Sequence, residues 1–501
     1  MSEPTQPDAT IPYDPPVPVI PPGTTQDAVV VVPGIMGSEL YDTEKDRVAW
    51  GLADAGWLLR AWTTPGGLGA LHVRPEEREG RLGRIRATRL LRVPGWSPVL
   101  RGVEPYSALL DTVARNVAVP QAVREFPYDW RLPVAVNARL LARAAREHLE
   151  WWRGTAAHTA ARRQRVDERE GRLVFVAHSM GGLLTLAALL DGGDGDLAGD
   201  TRGVLTLGTP FRGSVAATVI LNSGRGAPVP LPHRRLRRLA ATMPGLHDLL
   251  PTFVCLDEGR DVRALTPSDV ASLGGDAELA RESRNFHARI GGAALPGHRA
   301  VVGISQRTAQ SLTLRDGVVA DHTYCWRPHS DGKVIRGADG LPLRFNAGGD
   351  GTVHTESASP TRVRVPFALH HGALAKGKAA LDAVASFLAE DEHLGPTMAP
   401  GTLGLRVPDL VTPGVPWTLR VDGAEGLGQL ECSVEKVGTK GPGVEARLYG
   451  DGDALAARVT VPSEGLYRVV LDTDDGMPLT QLVLAGATTA AYSDDDPDPA
   501  D

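Results

Sequence analysis

The sequence predicts an α/β fold, a mostly parallel sheet with helices on both faces, followed by a small antiparallel β-sandwich. Continuous β-branched runs, Ala28-Val29-Val30-Val31-Val32 foremost, have the texture of strands buried on both faces. Helical patterns separate these runs, and an alternation of strand and helix implies right-handed βαβ units. After Pro400 the helices disappear, and short alternating runs divided by Gly, Pro and Asp take over.

Residues 1–26 precede the fold. Prolines recur from Pro4 to Pro22, remove backbone donors and favour an extended, disordered tail. A large α/β unit is expected over residues 27–395. Its first strand is Ala28 to Val32, ended by Pro33-Gly34, and later strands are Leu173 to Val176, Val204 to Leu207 and Ala300 to Gly303. A helix is expected from Val134 to Trp152, with Leu140, Leu141, Ala144, Ala145, His148 and Leu149 at helical spacing, and another from Gly182 to Leu190.

Two stretches interrupt the rhythm, at about 41–101 and 211–298. The first holds Trp50, Trp57, Trp62 and Trp96, four of the chain's nine tryptophans. Insertions into a sheet scaffold often cap a site, and amphipathic tryptophans suit a greasy, half-wet surface, so this stretch is the expected place of any peripheral membrane contact. The competing reading is that both stretches fill small local cores. The run His233-Arg234-Arg235-Leu236-Arg237-Arg238 in the second reads as a solvated helix face. The sandwich is expected over 399–492, with strands such as Trp417 to Val421, Ala456 to Val461 and Tyr467 to Leu471, and 493–501 as an acidic disordered tail.

Composition narrows the function. Lys plus Arg is 53 and Asp plus Glu is 60, a net charge of −7, so no basic field is offered to nucleic acid. Three scattered cysteines, Cys255, Cys325 and Cys432, build neither a disulfide framework nor a CxxC metal site. No Walker A or H-E-x-x-H sequence occurs, and the loop from Asp194 lacks the fifth and twelfth ligands of a calcium hand, having Ala198 and Leu205 there, so no metal or cofactor is expected. The N-terminal sequence lacks the features of a signal peptide, and no apolar run approaches the ~18 residues of a transmembrane helix. A cytoplasmic protein is the expectation.

Chemistry enters at Ala177-His178-Ser179-Met180-Gly181-Gly182, between a strand and a helix. That is the setting of the G-x-S-x-G elbow, with Ala177 in place of the first Gly, and it lifts a nucleophilic hydroxyl to a helix N-terminus where the Met180 N–H faces a developing oxyanion. A serine needs a base, and the base an acid, in the order Ser, acid, His. Asp350 lies on the glycine-flanked loop Asn346 to Val353, and His370-His371-Gly372 follows a strand; His371 is favoured as base, with His370 the alternative. His178 is read as packing. The second oxyanion donor is expected on the loop Val32 to Ser38, from Ile35 or, second, Met36.

These segments, with Tyr128-Asp129-Trp130-Arg131, Leu207-Gly208-Thr209-Pro210, Gly213-Ser214 and Leu249-Leu250-Pro251, stand in an order that resembles the lecithin:cholesterol acyltransferase family of α/β-hydrolases, which includes lysosomal phospholipase A2 and phospholipid:diacylglycerol acyltransferase. The resemblance runs over about residues 27–390. It implies Ser179 as nucleophile, Asp350 as acid, His371 as base, Ile35 and Met180 as oxyanion donors, and the two insertions as lid and cap. The expected function is a serine esterase, lipase or O-acyltransferase acting on a lipid or other hydrophobic ester. The alternative is a catalytically idle scaffold that binds partners through the sandwich. The chain departs from the family in lacking a secretion signal and in carrying the sandwich.

Overall fold

The computed structural model describes residues 20–21, 23–51, 68–92, 106–165, 167–191, 196–225, 232–327, 333–359, 364–390, 404–408, 410–422, 430–437, 443–451, 454–472 and 479–486. Residues 1–19 and 22 of the N-terminal tail, the C-terminal tail, and Trp57, Trp62 and Trp96 lie outside the described residues. Ile20, Thr25 and Gln26, counted into the disordered tail from sequence, are instead buried, and the Thr25 N–H donates to the Asn116 carbonyl (2.9 Å), so the fold begins earlier than residue 27.

Six strands form the central sheet: β1 (Ala28–Val32), β2 (Val123–Glu125), β3 (Leu173–His178), β4 (Thr201–Leu207), β5 (Arg299–Gly303) and β6 (Arg364–Phe367). They run in the order β2-β1-β3-β4-β5-β6, every pair parallel. All five residues of β1 and all six of β3 are buried, as continuous apolar strands in the middle of a covered sheet must be. The chain builds outward from β1 to β2, then returns to lay β3 on the other side of β1. Strand order therefore reverses between β1 and β3, and the carboxyl ends of strands flanking such a reversal open onto a crevice.

Helix α1 (Val134–Arg153) packs beside α2 (Met180–Asp191). In α1 the buried stripe is Ala138, Leu141, Ala142, Ala145, Leu149 and Trp152, whereas Leu140, counted into the stripe from sequence, is 43% exposed. Helix α2 carries Leu183, Leu184, Ala187 and Ala188 buried without an amphipathic face, because it fills the interior. Asp248 accepts the Val134 N–H at the start of α1 (2.8 Å), and burial pushes its carboxyl up to about 7. A carboxyl whose pKa is raised by folding holds its proton longer than the unfolded chain does, so stability falls as pH rises from about 4 to about 7 and levels off above. Asp248→Asn keeps an acceptor for Val134 without the charge. It is expected to flatten the loss of Tm across that window and to raise Tm at about pH 8; parallel Tm curves for both proteins would refute this.

In the first insertion, strands Ser38–Asp42, Arg47–Trp50 and Ile85–Leu90 pair antiparallel. Trp50 is a core residue, 2% exposed, edge-on to Trp130 with ring centroids 5.3 Å apart. The second insertion is chiefly helical, including Val215–Ser223, His233–Ala241 and Ala277–Ile290. The basic helix His233–Ala241 buries Leu236, Leu239 and Ala240. A third excursion, unforeseen from sequence, separates β5 from Asp350. It contains the antiparallel hairpin Ser311–Arg315 and Val318–His322 and the short pair Cys325–Trp326 and Arg344–Phe345.

After residue 403 two sheets face each other. One holds Gly404–Arg406, Trp417–Asp422, Ala454–Val459 and Tyr449–Asp451; the other holds Glu431–Lys436, Gly465–Asp472, Leu479–Ala485 and two short edge strands. Pairing is antiparallel except at Leu410–Val411, which runs parallel to Leu479–Ala485. Leu419, Val421, Ala457, Val469, Leu471 and Val483 alternate along their strands into a core of their own. Leu482, on the opposite face of its strand, belongs instead to the main core. All three cysteines are free and buried.

Candidate active site

Ser179 stands between the end of β3 and the start of α2, with φ at +52°, a left-handed conformation that a non-glycine residue adopts at a cost of about 1–3 kcal/mol. Its N–H donates to the Leu207 carbonyl on β4 (2.9 Å), which holds the turn against the sheet. Two residues later the chain passes so close to β1 that a Cβ on Gly181 would lie 2.5 Å from the Val32 carbonyl oxygen. The elbow is thus clamped between the strands on either side of the order reversal.

Asp350 follows the third excursion and is 1% exposed. Its Oδ1 accepts the N–H groups of Thr352 (2.9 Å) and Val353 (2.7 Å). Its Oδ2 lies 2.7 Å from His371 Nδ1. The excursion closes at its base, where the Gln306 N–H donates to the Gly349 carbonyl (3.0 Å) and Thr308 Oγ1 accepts the Gly351 N–H (2.9 Å). His371 follows β6 and opens a 3₁₀ turn, His371–Ala375. Its N–H donates to the Asp350 carbonyl (2.8 Å), and its Nε2 lies 2.9 Å from Ser179 Oγ.

Residues up to 192 positions apart in sequence therefore meet in one line, Asp350–His371–Ser179. His370 points elsewhere: its Nε2 has no hydrogen-bond partner, and burial followed by the charge of Lys376 pushes the ring down to about 4. Met180 begins α2. The loop that carries Ile35 is fixed by the Trp50 indole N–H, which donates to the Met36 carbonyl (2.9 Å), and by Tyr128 Oη, which donates to the Pro33 carbonyl (3.0 Å). Tyr128 to Arg131 act as scaffold. Arg131, fully buried, binds Asp129 and Glu77 (2.6 and 2.9 Å), so the first insertion is tied to the sheet beneath it.

Sequence reasoning missed Gly208 as a site residue. It has φ at +61°, and a Cβ there would lie 2.9 Å from Asp350 Oδ2 and 3.1 Å from His371 Nδ1. Its presence in Leu207-Gly208-Thr209-Pro210 at the end of β4, next to the strand that leads into Ser179, was the available signal. His178 is buried, and burial followed by the charge of His371 pushes it down to about 3, so it stays neutral. Among the described residues no group of His, Cys, Asp and Glu could hold a metal ion, and no helix is long and apolar enough to cross a membrane.

Residues 98–287 match the family model for lecithin:cholesterol acyltransferase. That stretch takes in Ser179 and Tyr128 to Arg131 and ends before Asp350 and His371. Similar solved structures include the Tle4–Tli4 complex, at 15% identity and a TM-score of 0.42, covering 72% of this chain and 96% of that one. The mature Bacillus licheniformis lipase BlEst2 is 12% identical with a TM-score of 0.36, covering 75% and 96%. Its propeptide form is 11% identical with a TM-score of 0.33, covering 94% and 95%. No curated protein matches in sequence.

Proposed function

We propose that this chain is a lecithin:cholesterol acyltransferase-like α/β-hydrolase that cleaves a lipid or other hydrophobic ester through an acyl-serine, passing the acyl group to water or an alcohol. The observation that carries this reading is the unbroken line from Asp350 Oδ2 to His371 Nδ1 (2.7 Å) and from His371 Nε2 to Ser179 Oγ (2.9 Å). Ser179 attacks the ester carbonyl while His371 Nε2 takes its proton, and Asp350 holds the other ring nitrogen protonated. The tetrahedral oxyanion forms at the N-terminus of α2, where the N–H groups of Met180 and Ile35 receive it. His371 returns the proton to the leaving alcohol, and the acyl-enzyme is resolved by the second acceptor.

The test is labelling of the pure protein by a fluorophosphonate, with the modified peptide identified by mass. Label on Ser179 is expected; an unlabelled protein would leave only a binding scaffold.

Gly208 supplies a second test. Alanine there would meet both a left-handed backbone and the Asp350–His371 pair. Gly208→Ala is expected to keep its circular dichroism and lose about 10²-fold in kcat on a p-nitrophenyl ester, the scale of a 1 Å misplacement of a catalytic group. Unchanged kcat would show that the pair has slack.

We also propose that residues 27–395 form the catalytic unit and 399–492 a separate targeting module. The line of three residues is complete before residue 392, and the sandwich has its own core. Leu482 contributes to the main core, with Leu466 and Val437 packed against it, so removal uncovers an apolar patch. A chain ending at Glu392 is expected to melt at lower temperature, to hydrolyse a short ester at a comparable rate, and to lose activity on phospholipid vesicles. An inactive truncation, beside a labelled full-length chain, would make the sandwich part of the catalytic unit.

A further inference from the structure

His178 was read from sequence as packing, yet every polar atom of its ring is used. Its Nε2 lies 3.1 Å from the main-chain carbonyl of His371, and its Nδ1 lies 2.9 Å from Tyr106 Oη. The Gly34 N–H in turn donates to Tyr106 Oη (2.7 Å). Chemistry fixes each proton in this string. A carbonyl only accepts, so Nε2 carries the hydrogen; Nδ1 of the neutral ring then accepts, and the Tyr106 hydroxyl donates to it. Gly34 donates into the tyrosine oxygen. No member competes with another, and Tyr106 and His178 are 1% and 6% exposed, so water does not substitute for them.

The two ends of the string matter. At one end, Gly34 immediately precedes Ile35, and a Cβ on Gly34 would lie 2.8 Å from Ser179 Cβ, so this peptide rests on the nucleophile itself. The carbonyl of the same peptide unit, from Pro33, accepts from Tyr128 Oη (3.0 Å), so two buried tyrosines grip both edges of one peptide plane. At the other end, the His371 main chain is pinned twice, its carbonyl by His178 and its N–H by the Asp350 carbonyl (2.8 Å).

We propose that Tyr106 and His178 are positioning residues of the acyl-transfer reaction, a hydrogen-bond relay that locks the oxyanion loop and the main chain of the base into one rigid frame around Ser179. The proposal rests on the function given above. Serine chemistry needs the proton acceptor and the oxyanion donor placed together, and loops from β1 and β6 have no shared strand pairing to register them. The relay supplies that registration across the sheet. Loss of the Tyr106 oxygen leaves the Gly34 N–H and His178 Nδ1 buried without partners, so both ends relax.

The experiment uses the full-length chain with Tyr106→Phe, His178→Leu and His178→Gln. Active sites are counted by fluorophosphonate titration, and kcat per titrated site and KM are measured on p-nitrophenyl butyrate. Tyr106→Phe and His178→Leu are expected to lower kcat per site by about 10- to 100-fold with KM unchanged. His178→Gln, whose amide N–H can reach the His371 carbonyl, is expected to recover about tenfold of what His178→Leu loses. Should His178→Leu fail to fold, Tyr106→Phe, which removes one oxygen, decides alone. Fewer titrated sites at wild-type kcat per site, or a raised KM at wild-type kcat, would overturn the relay and leave packing. A wild-type protein that titrates no Ser179 would overturn the acyl-serine reading and the relay with it, an outcome distinct from a labelled wild type with unaffected variants.

Discussion

Ser179→Ala is expected to lower hydrolysis of a short p-nitrophenyl ester by about 10⁶-fold with no change in circular dichroism, the scale seen when a serine hydrolase loses its nucleophile. The methyl group occupies the same elbow, whose turn is held by a main-chain bond to Leu207 and by close contact with β1, so the fold does not depend on the hydroxyl. What disappears is the hydroxyl that, in the proposed mechanism, bonds to substrate. The residual rate comes from binding and oxyanion donors acting on water, so Ser179→Ala combined with Asp350→Asn is expected to be no slower than Ser179→Ala alone. Steady-state rates of the single and double variants check this. A single variant within tenfold of wild type would move the nucleophile elsewhere.

Asp350→Asn is the second large effect, about 10⁴-fold in kcat. Its size follows from the partners of the carboxylate. Oδ1 accepts two main-chain N–H groups, from Thr352 and Val353, and only Oδ2 faces His371. An asparagine must therefore keep its oxygen toward the two donors and turn its NH₂ to His371 Nδ1; the opposite orientation would set NH₂ against two N–H groups. With NH₂ donating to Nδ1, the ring proton sits on Nε2, where it blocks acceptance of the Ser179 proton. Measured kcat on the short ester, alongside an unchanged melting curve, tests this, and near-normal turnover would mean that a different carboxylate holds the histidine.

Much of the architecture could be read before any coordinates because it is written in local texture. Val29 to Val32 and Leu173 to Val176 are apolar without interruption because both faces are covered, and Ser179 betrays itself by the small residues its elbow needs. Asp350 and His371 stand out as candidates for a similar reason, since glycines beside them mark loops that bend sharply, and the structure brings the two side chains together. β2, only Val-Arg-Glu, was not legible: an edge strand three residues long has no period, and its place is set by pairing with β1. The hairpin beyond β5 does carry a local signal. Asp316-Gly317, both at positive φ between alternating Leu312 to Arg315 and Val318, is the two-residue turn that favours tight antiparallel pairing. Tyr106 was invisible, because its role arises only from the β1 loop and the end of β3 that tertiary folding brings to it.

The closed base of that excursion has a consequence for how such a protein can be altered. Gln306 and Gly349 are joined by a main-chain bond, and Thr308 reaches across to Gly351, so the segment between them begins and ends at nearly the same point. Residues added at the hairpin tip lengthen a loop whose mouth is already tied, and the entropy of a tied loop grows only logarithmically with length. An insertion at Asp316-Gly317 exchanges the tip's bonds to Asn222 but is expected to leave Asp350 in place. The tip is accordingly a natural port for reporter or affinity insertions that leave the Asp350–His371 contact untouched.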